Sequence, residues 1–214
     1  MKIVAVNGSL VKGGNVEVLL EHGLEEYAER RDIEVVRFLL SEMEVGPCRH
    51  CNWCIKKQEP GRYCQTDDDM AKVYPELMEA SGLIISTPVH FGRLSGSCAD
   101  FIDRLRVFVH GNITHGALRN KVGGALAVAW FRNAGVETTL ISIDSAFHAL
   151  GMVVASPDLG LFGAGAFSSI DGKGAPSKDN KLLVREDALG MASARSLCYR
   201  VAELIQIMGS DPKI

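Results

Sequence analysis

The chain has 214 residues, of which 47% are hydrophobic, 23% charged and 7% aromatic. At roughly 100–200 residues per domain this predicts one domain over residues 1–214, large enough to bury roughly 70% of its unfolded surface without disulfides. Lys and Arg number 23 against 26 Asp and Glu, a net charge of −3, which offers no basic face for nucleic acid, and no apolar run approaches the ~20 residues that span a bilayer.

The N-terminal MKIVAVNGSL reads as a strand entering a loop, with no signal-peptide cleavage site after it; the expectation is a soluble, cytoplasmic protein. Strands are predicted at Lys2–Val6, Ile33–Leu39, Gly82–Ser86, Gly123–Trp130 and, more weakly patterned, Met152–Ala155. Helices are predicted at Asn15–Glu29, Asp69–Ala80, Ser95–Val109, Val136–Ala149 and Arg185–Met208. In the first helix Val16, Leu19, Leu20, Gly23, Leu24 and Tyr27 form one stripe of a 3.6-residue period. The runs IVAV, LIIS and ALAVA are nearly continuous in apolar residues, as strands covered on both faces are. Alternation of such strands with helices predicts an α/β fold: a doubly wound, five-stranded parallel sheet of flavodoxin-like order 2-1-3-4-5. A cysteine-rich loop (45–66) follows the second strand, and Pro157–Asn180, rich in Gly, Ser, Ala and Asp, reads as a long loop opening a C-terminal loop-and-helix region, 157–210.

Between the first strand and the first helix lies Asn7-Gly8-Ser9-Leu10-Val11-Lys12-Gly13-Gly14-Asn15. A Gly-rich loop there presents backbone N–H groups and the positive end of a helix dipole to a phosphate. Neither G-x-G-x-x-G nor a nucleotide-hydrolysing loop fits, since Gly14-Asn15 stand where the latter needs Lys-Ser/Thr. Ser9, Lys12 and Asn15 can donate to a terminal monophosphate; the alternative is plain turn geometry with Asn15 as N-cap. After the third strand comes Ser86-Thr87-Pro88-Val89-His90-Phe91-Gly92-Arg93-Leu94-Ser95. In the expected strand order this loop converges with the first one at the crevice where open sheets bind ligands, and its aromatic, Pro-stiffened sequence suits a flat ring. Ordinary packing is the alternative for His90 and Phe91.

The cysteines of the loop are spaced C-x2-C-x2-C-x9-C: Cys48, Cys51, Cys54 and Cys64. Two-residue gaps turn successive thiolates toward one centre, as around an iron–sulfur cubane. Four thiolates, or three with His50, also make a closed zinc site, and free thiols are the third reading. Cys98 and Cys198 fall on predicted helices and read as small buried hydrophobes. Asp67-Asp68-Asp69 stand directly before a helix and read as capping residues rather than as metal ligands.

Together, Gly8-Ser9…Gly14-Asn15, the cysteine run followed by Asp68-Asp69-Met70, and Ser86–Arg104 with its Phe101-Ile102-Asp103-Arg104 resemble the iron–sulfur flavoproteins of the NADPH-dependent FMN reductase superfamily. Leu10-Val11 stand where that family commonly has Pro-Arg, and His90 where it commonly has tyrosine. The resemblance implies an FMN-dependent electron-transfer oxidoreductase. Ser9, Lys12, Gly14, Asn15 and Val16 would hold the FMN phosphate, and Pro88, Val89, His90, Phe91 and Gly92 would lie along the isoalloxazine ring. Arg132 and Asn133 would complete the flavin site, and Cys48, Cys51, Cys54 and Cys64 would ligate a 4Fe-4S cluster. It implies NAD(P)H or a ferredoxin-like electron donor, a small-molecule or protein acceptor, and a homo-oligomer (dimer or tetramer). No side chain is expected to act as general acid or base. The alternatives are an NAD(P)H-dependent FMN or quinone reductase without a cluster, and a flavodoxin-like binding module whose cysteines hold zinc.

Overall fold

The structure, a computed structural model, describes residues 1–28 and 32–209. Chain order is β1 (Lys2–Asn7), α1 (Asn15–Leu24), β2 (Glu34–Leu39), α2 (Trp53–Lys56), α3 (Met70–Glu79), β3 (Gly82–His90), β4 (Arg93–Leu94), α4 (Gly96–Arg104), α5 (Arg106–His110), β5 (Val122–Ala129), α6 (Val136–Ala149), β6 (Val153–Val154), β7 (Ala164–Phe167) and α7 (Ala188–Gly209). The sheet runs β2-β1-β3-β5-β6, all parallel, with β4 antiparallel on β3 and β7 parallel on β5. With β4 set aside, this is the expected flavodoxin-like order. β6 pairs with Val122 and Gly123 and β7 with Leu126–Ala129, so the two short strands occupy successive stretches along β5.

Alternate residues of each central strand enter different cores, which is why the strands read as unbroken apolar runs. Val4 and Val6 of β1 pack with Leu83 and Ile85 against α3, α4, α5 and α6. Ile3 and Ala5 pack with Ile84 against α1 and α7. Mid-strand Gly123 and Gly124 are required by close approach. A Cβ would lie 2.6 Å from the Phe147 ring at one and 2.9 Å from Val201 at the other.

Several expectations are corrected. α1 ends at Leu24 in a 3-10 turn, Glu25–Tyr27, well short of Glu29, which lies outside the described residues, as does residue 210 of the expected C-terminal region. The single helix expected over Ser95–Val109 breaks at Leu105 into α4 and α5. Residues 157–180 are not all loop. β7 lies within them, and its Ala-Gly-Ala-Phe sequence lacks β-branched residues because its neighbours sit on top of it: a Cβ at Gly165 would meet Val136 at 2.5 Å.

One buried acid in this frame carries no partner for Oδ1: Asp144 of α6, 7% exposed. Burial pushes its carboxyl up from 3.8 to about 6, with His148 one turn on pulling the other way. A native-state value above the unfolded one means stability is lost as pH rises from about 4 to about 6, because the folded chain must ionise a buried group. Asp144→Asn is therefore expected to add about 1–2 kcal/mol at pH 7 and nothing at pH 4. Urea unfolding at the two pH values checks this, and an equal gain at both would count against it.

Candidate functional site

The carboxyl ends of β1, β3, β5 and β7 deliver the candidate residues to one edge of the sheet. In the loop after β1, Ser9 is 4% exposed. Its N–H donates to Asn7 Oδ1 at 3.0 Å and its Oγ accepts from Val11 N–H at 3.1 Å, so the turn is held by its own polar groups. The N-cap of α1 is Gly14, and no side chain caps this end, which leaves the helix's first amides to an anion or water. Asn15 is the first helical residue, not the cap. Its Nδ2 donates to the Lys181 carbonyl at 3.0 Å and its Oδ1 accepts from Val184 N–H at 3.0 Å, so it tethers the segment before α7 to the loop. Lys12 is ion-paired with Glu42 at 3.2 Å, both side chains more than half exposed.

Ser9, Lys12, Gly14, Asn15 and Val16 line one cavity together with Pro88 of β3. Val128, Ser168, Lys181 and Leu182 line it too, and the sequence reading missed them. Lys181 supplies a second cation beside the loop, from a segment with no motif of its own. Val89, His90, Phe91, Gly92, Arg132 and Asn133 do not line that cavity.

The segment after Ser86 is a strand and a hairpin rather than a loop. β3 continues through Pro88 to His90, and Val89 and His90 pair with Leu94 and Arg93 of β4. Phe91 and Gly92 form the two-residue tip, with φ of 51° and 76°, the double left-handed conformation that matches hairpin twist. Phe91 is fully exposed there. The residues 130–135 after β5 come up against this tip: a Cβ at Gly135 (φ 96°) would stand 2.5 Å from Gly92 Cα. Arg132 stacks its guanidinium 4.8 Å from the centre of the Phe167 ring, and its backbone N–H donates to the Gly172 carbonyl at 2.9 Å. Beneath these loops Thr87, Ser95 and Ser97 knit β3 to the first loop, with both serine hydroxyls donating to the Gly8 carbonyl at 2.9 and 2.8 Å.

Between β2 and α3 the chain is irregular except for a 3-10 turn after β2, the single turn of α2 and a tight turn at Pro60-Gly61 closed by Glu59 and Arg62, whose backbone N–H groups donate to each other's carbonyls at 3.0 and 2.9 Å. Each two-residue cysteine gap holds one left-handed residue, His50 (φ 50°) between Cys48 and Cys51 and Asn52 (φ 58°) between Cys51 and Cys54. That conformation reverses the chain locally at each step, and Cys48, Cys51, Cys54 and Cys64 line one cavity with Arg104 and Arg106. All four are free thiols, Cys54 buried and Cys51 exposed. Burial pushes the Cys54 thiol up, while the Arg106 guanidinium beside it pulls it down. Among the described residues no three His, Cys, Asp or Glu side chains are grouped so as to hold a single metal ion.

The segment is pinned on both sides. Gln58, 4% exposed, donates from Nε2 to the Tyr63 carbonyl at 3.0 Å and to Thr114 Oγ1 at 2.9 Å, and its Oε1 accepts from Ile113 N–H at 2.9 Å. Arg104 Nη2 donates to Asp68 Oδ1 at 3.0 Å, Nη1 donates to Asp68 Oδ2 at 2.5 Å, and Nη1 also reaches the Gly46 carbonyl at 3.0 Å. Asp68 Oδ2 accepts from Gly46 N–H at 3.1 Å and Asp69 Oδ2 from Glu44 N–H at 2.8 Å. The acidic run is thus only in part a cap: Asp68 Oδ1 accepts from Met70 N–H at 3.2 Å, Asp69 occupies the N-cap position of α3 without a side-chain capping bond, and both hold the start of the cysteine segment. Cys98 and Cys198 are fully buried in the two cores, and burial pushes each thiol up to about 12, which suits inert packing.

The model of the NADPH-dependent FMN reductase family matches residues 1–165. The chain is 34% identical over 208 residues to an iron–sulfur flavoprotein of Methanocaldococcus jannaschii, a match covering 97% of this chain and 99% of that one. Two solved structures share the fold: RosB with a bound intermediate, at TM-score 0.75 and 16% identity (100% of this chain, 82% of that one), and the WrbA-like flavodoxin of Agrobacterium tumefaciens, at TM-score 0.61 and 15% identity (96% and 97%). The chain belongs to the NADPH-dependent FMN reductase family and is an FMN-dependent oxidoreductase.

Proposed function

We propose that this FMN-dependent oxidoreductase is an electron carrier in which Cys48, Cys51, Cys54 and Cys64 hold a 4Fe-4S cluster that exchanges single electrons with the flavin. The observation that carries the reading is the shared cavity of the four cysteines, reached through a left-handed residue in each two-residue gap. Four soft thiolate donors are the ligand set of such a cluster, and the full-length resemblance to a protein named as an iron–sulfur flavoprotein agrees with it. When bound, FMN takes up electrons in pairs and releases them singly, and the cluster takes one at a time.

The chain's part is to bind, orient and shield. Ser9, Gly14 and the uncapped amides of α1 receive the FMN phosphate, with Val16 beneath them and Lys12 and Lys181 as cations at its edge. Asn15, with both polar groups engaged, serves that site by fixing the 181–184 backbone rather than by donating to the phosphate. Pro88, Val89, His90, Phe91 and Gly92 would hold the ring, with Arg132 and Asn133 completing that site where residues 130–135 meet the hairpin. Electrons enter from NAD(P)H or a ferredoxin-like protein and leave to a small-molecule or protein acceptor. No side chain is assigned general acid or base work. The unit is a single domain over residues 1–214, cytoplasmic and homo-oligomeric. Leu10, Val11, Phe91 and Phe131, each more than half exposed at the flavin edge, form the apolar rim that a second copy would cover. No helix among the described residues is long and apolar enough to cross a membrane.

Iron, sulfide and flavin measured on anaerobically purified protein test the proposal. About four irons per FMN is the expected result. Cys54→Ala should lose the iron and keep both flavin and fold, whereas loss of folding would mark a structural zinc ligand. Flavin without iron, even after reconstitution with iron and sulfide, would leave the FMN or quinone reductase instead.

A further inference from the structure

Two guanidinium groups face the cysteines from the break between α4 and α5. Arg104 ends α4 and Arg106 opens α5, and both line the cavity of the four cysteines. Arg104 is 2% exposed, and its terminal nitrogens are taken by Asp68 and by the Gly46 carbonyl. Nη2 of Arg106 donates to Asn52 Oδ1 at 2.7 Å. The Nε of each is buried and makes no hydrogen bond of normal geometry among the described residues, though the Arg106 guanidinium lies beside the Cys54 thiol and that of Arg104 beside the Tyr74 hydroxyl. A buried donor left unpaired is costly, the more so on a charged group, so two on the wall of one cavity call for an acceptor inside it. Sulfur is what the cysteines bring there. The charges are unequal: the Asp68 carboxylate compensates Arg104, while among the described residues no salt bridge is made by Arg106.

We propose that Arg104 and Arg106 are positioning residues for the cysteine-held cluster, their Nε–H groups donating to its sulfur atoms and the uncompensated charge of Arg106 favouring the state that carries one more electron. This rests on the cluster reading above. The couple concerned is uptake of one electron by the cluster, supplied in the test by dithionite. Hydrogen bonds to sulfur and nearby positive charge both stabilise the added negative charge and raise the potential.

The experiment is an EPR-monitored potentiometric titration of the anaerobically reconstituted, flavin-loaded protein, after iron and sulfide have been counted, on the parent chain, Arg106→Gln and Arg106→Lys. Arg106→Gln is expected to assemble the cluster and to shift its one-electron reduction equilibrium about tenfold toward the oxidised form, a midpoint about 59 mV lower. Arg106→Lys keeps a charge but has no Nε–H in that place, and is expected to fall part of the way. Full iron in Arg106→Gln with an unmoved midpoint overturns this inference alone. If Arg106→Gln fails to load, Arg106→Lys decides: at least a twofold shift of the equilibrium supports the inference and an unmoved midpoint overturns it. A parent chain that holds no iron overturns the cluster reading, and this inference with it.

Discussion

Replacing Asp68 with alanine is expected to lower the unfolding free energy by about 3–5 kcal/mol. The side chains of Arg104 and Asp68 are 1% and 8% exposed, so the substitution strands a guanidinium in the interior rather than exposing one partner of a surface pair. Burial works against the Arg104 charge, and Asp68 together with its neighbours offsets it; a guanidinium keeps its proton in proteins, so the stranded group stays ionised. For a domain of this size the loss corresponds to roughly 6–20 °C in Tm. The same change removes the acceptor for Gly46 N–H and the anchor of the arginine that holds the Gly46 carbonyl, two residues before Cys48, so iron content should fall at temperatures where the chain is still folded. Glu21→Ala is the control. Its ion pair with Arg37 is at the surface and is worth less than about 1 kcal/mol. Denaturant unfolding of both variants, with iron counted on the folded samples, checks the expectation. Equal losses for the two would mean that the buried pair does not organise the segment.

What the sequence disclosed follows from how local each signal is. β1, α1 and β3 announce themselves because their burial patterns repeat within a few residues. The ends of β3 were harder. Pro88 and Gly92 read as loop, yet β3 continues through Pro88 in register with Val128 of β5, and Gly92 serves a hairpin tip. β7 was invisible because Ala164–Phe167 is a strand by virtue of what packs on it, not by propensity. In the candidate site the cysteine spacing and the Gly-rich loop were legible, being contiguous. Lys181 and Ser168 were not, since only the folded chain brings them beside Ser9. The Asp68–Arg104 pair joins positions 36 residues apart, and no periodicity reports a contact of that kind. Asn15 shows the opposite case: its identity was a sound guide to a polar role at the start of α1, but the partners it takes lie 166 and 169 residues on.

Gly135→Val is the second large effect expected, and its consequence is for the flavin more than for the fold. Gly135 holds φ 96° at the N-cap of α6, a region that a β-branched residue occupies only under strain of about 1–3 kcal/mol. Strain is the smaller part. The added Cβ would stand 2.5 Å from Gly92 Cα and 2.8 Å from its carbonyl carbon, and backbone cannot rotate away as a side chain can. Either residues 130–135 or the Phe91-Gly92 tip must move. Both elements are held from below by β5 and by the β3–β4 pairing, so the shift is confined to their tips, where the ring of FMN is proposed to lie. The expected result is a Kd for FMN raised at least tenfold, a loss of about 1.4 kcal/mol in binding, with Tm lower by roughly 2–12 °C. Fluorescence titration of the deflavinated protein with FMN, beside thermal unfolding of the same sample, measures both. An unchanged Kd with a lowered Tm would place the ring away from the hairpin tip, and Ser9, Lys12 and Lys181 would then have to hold the flavin by its phosphate alone.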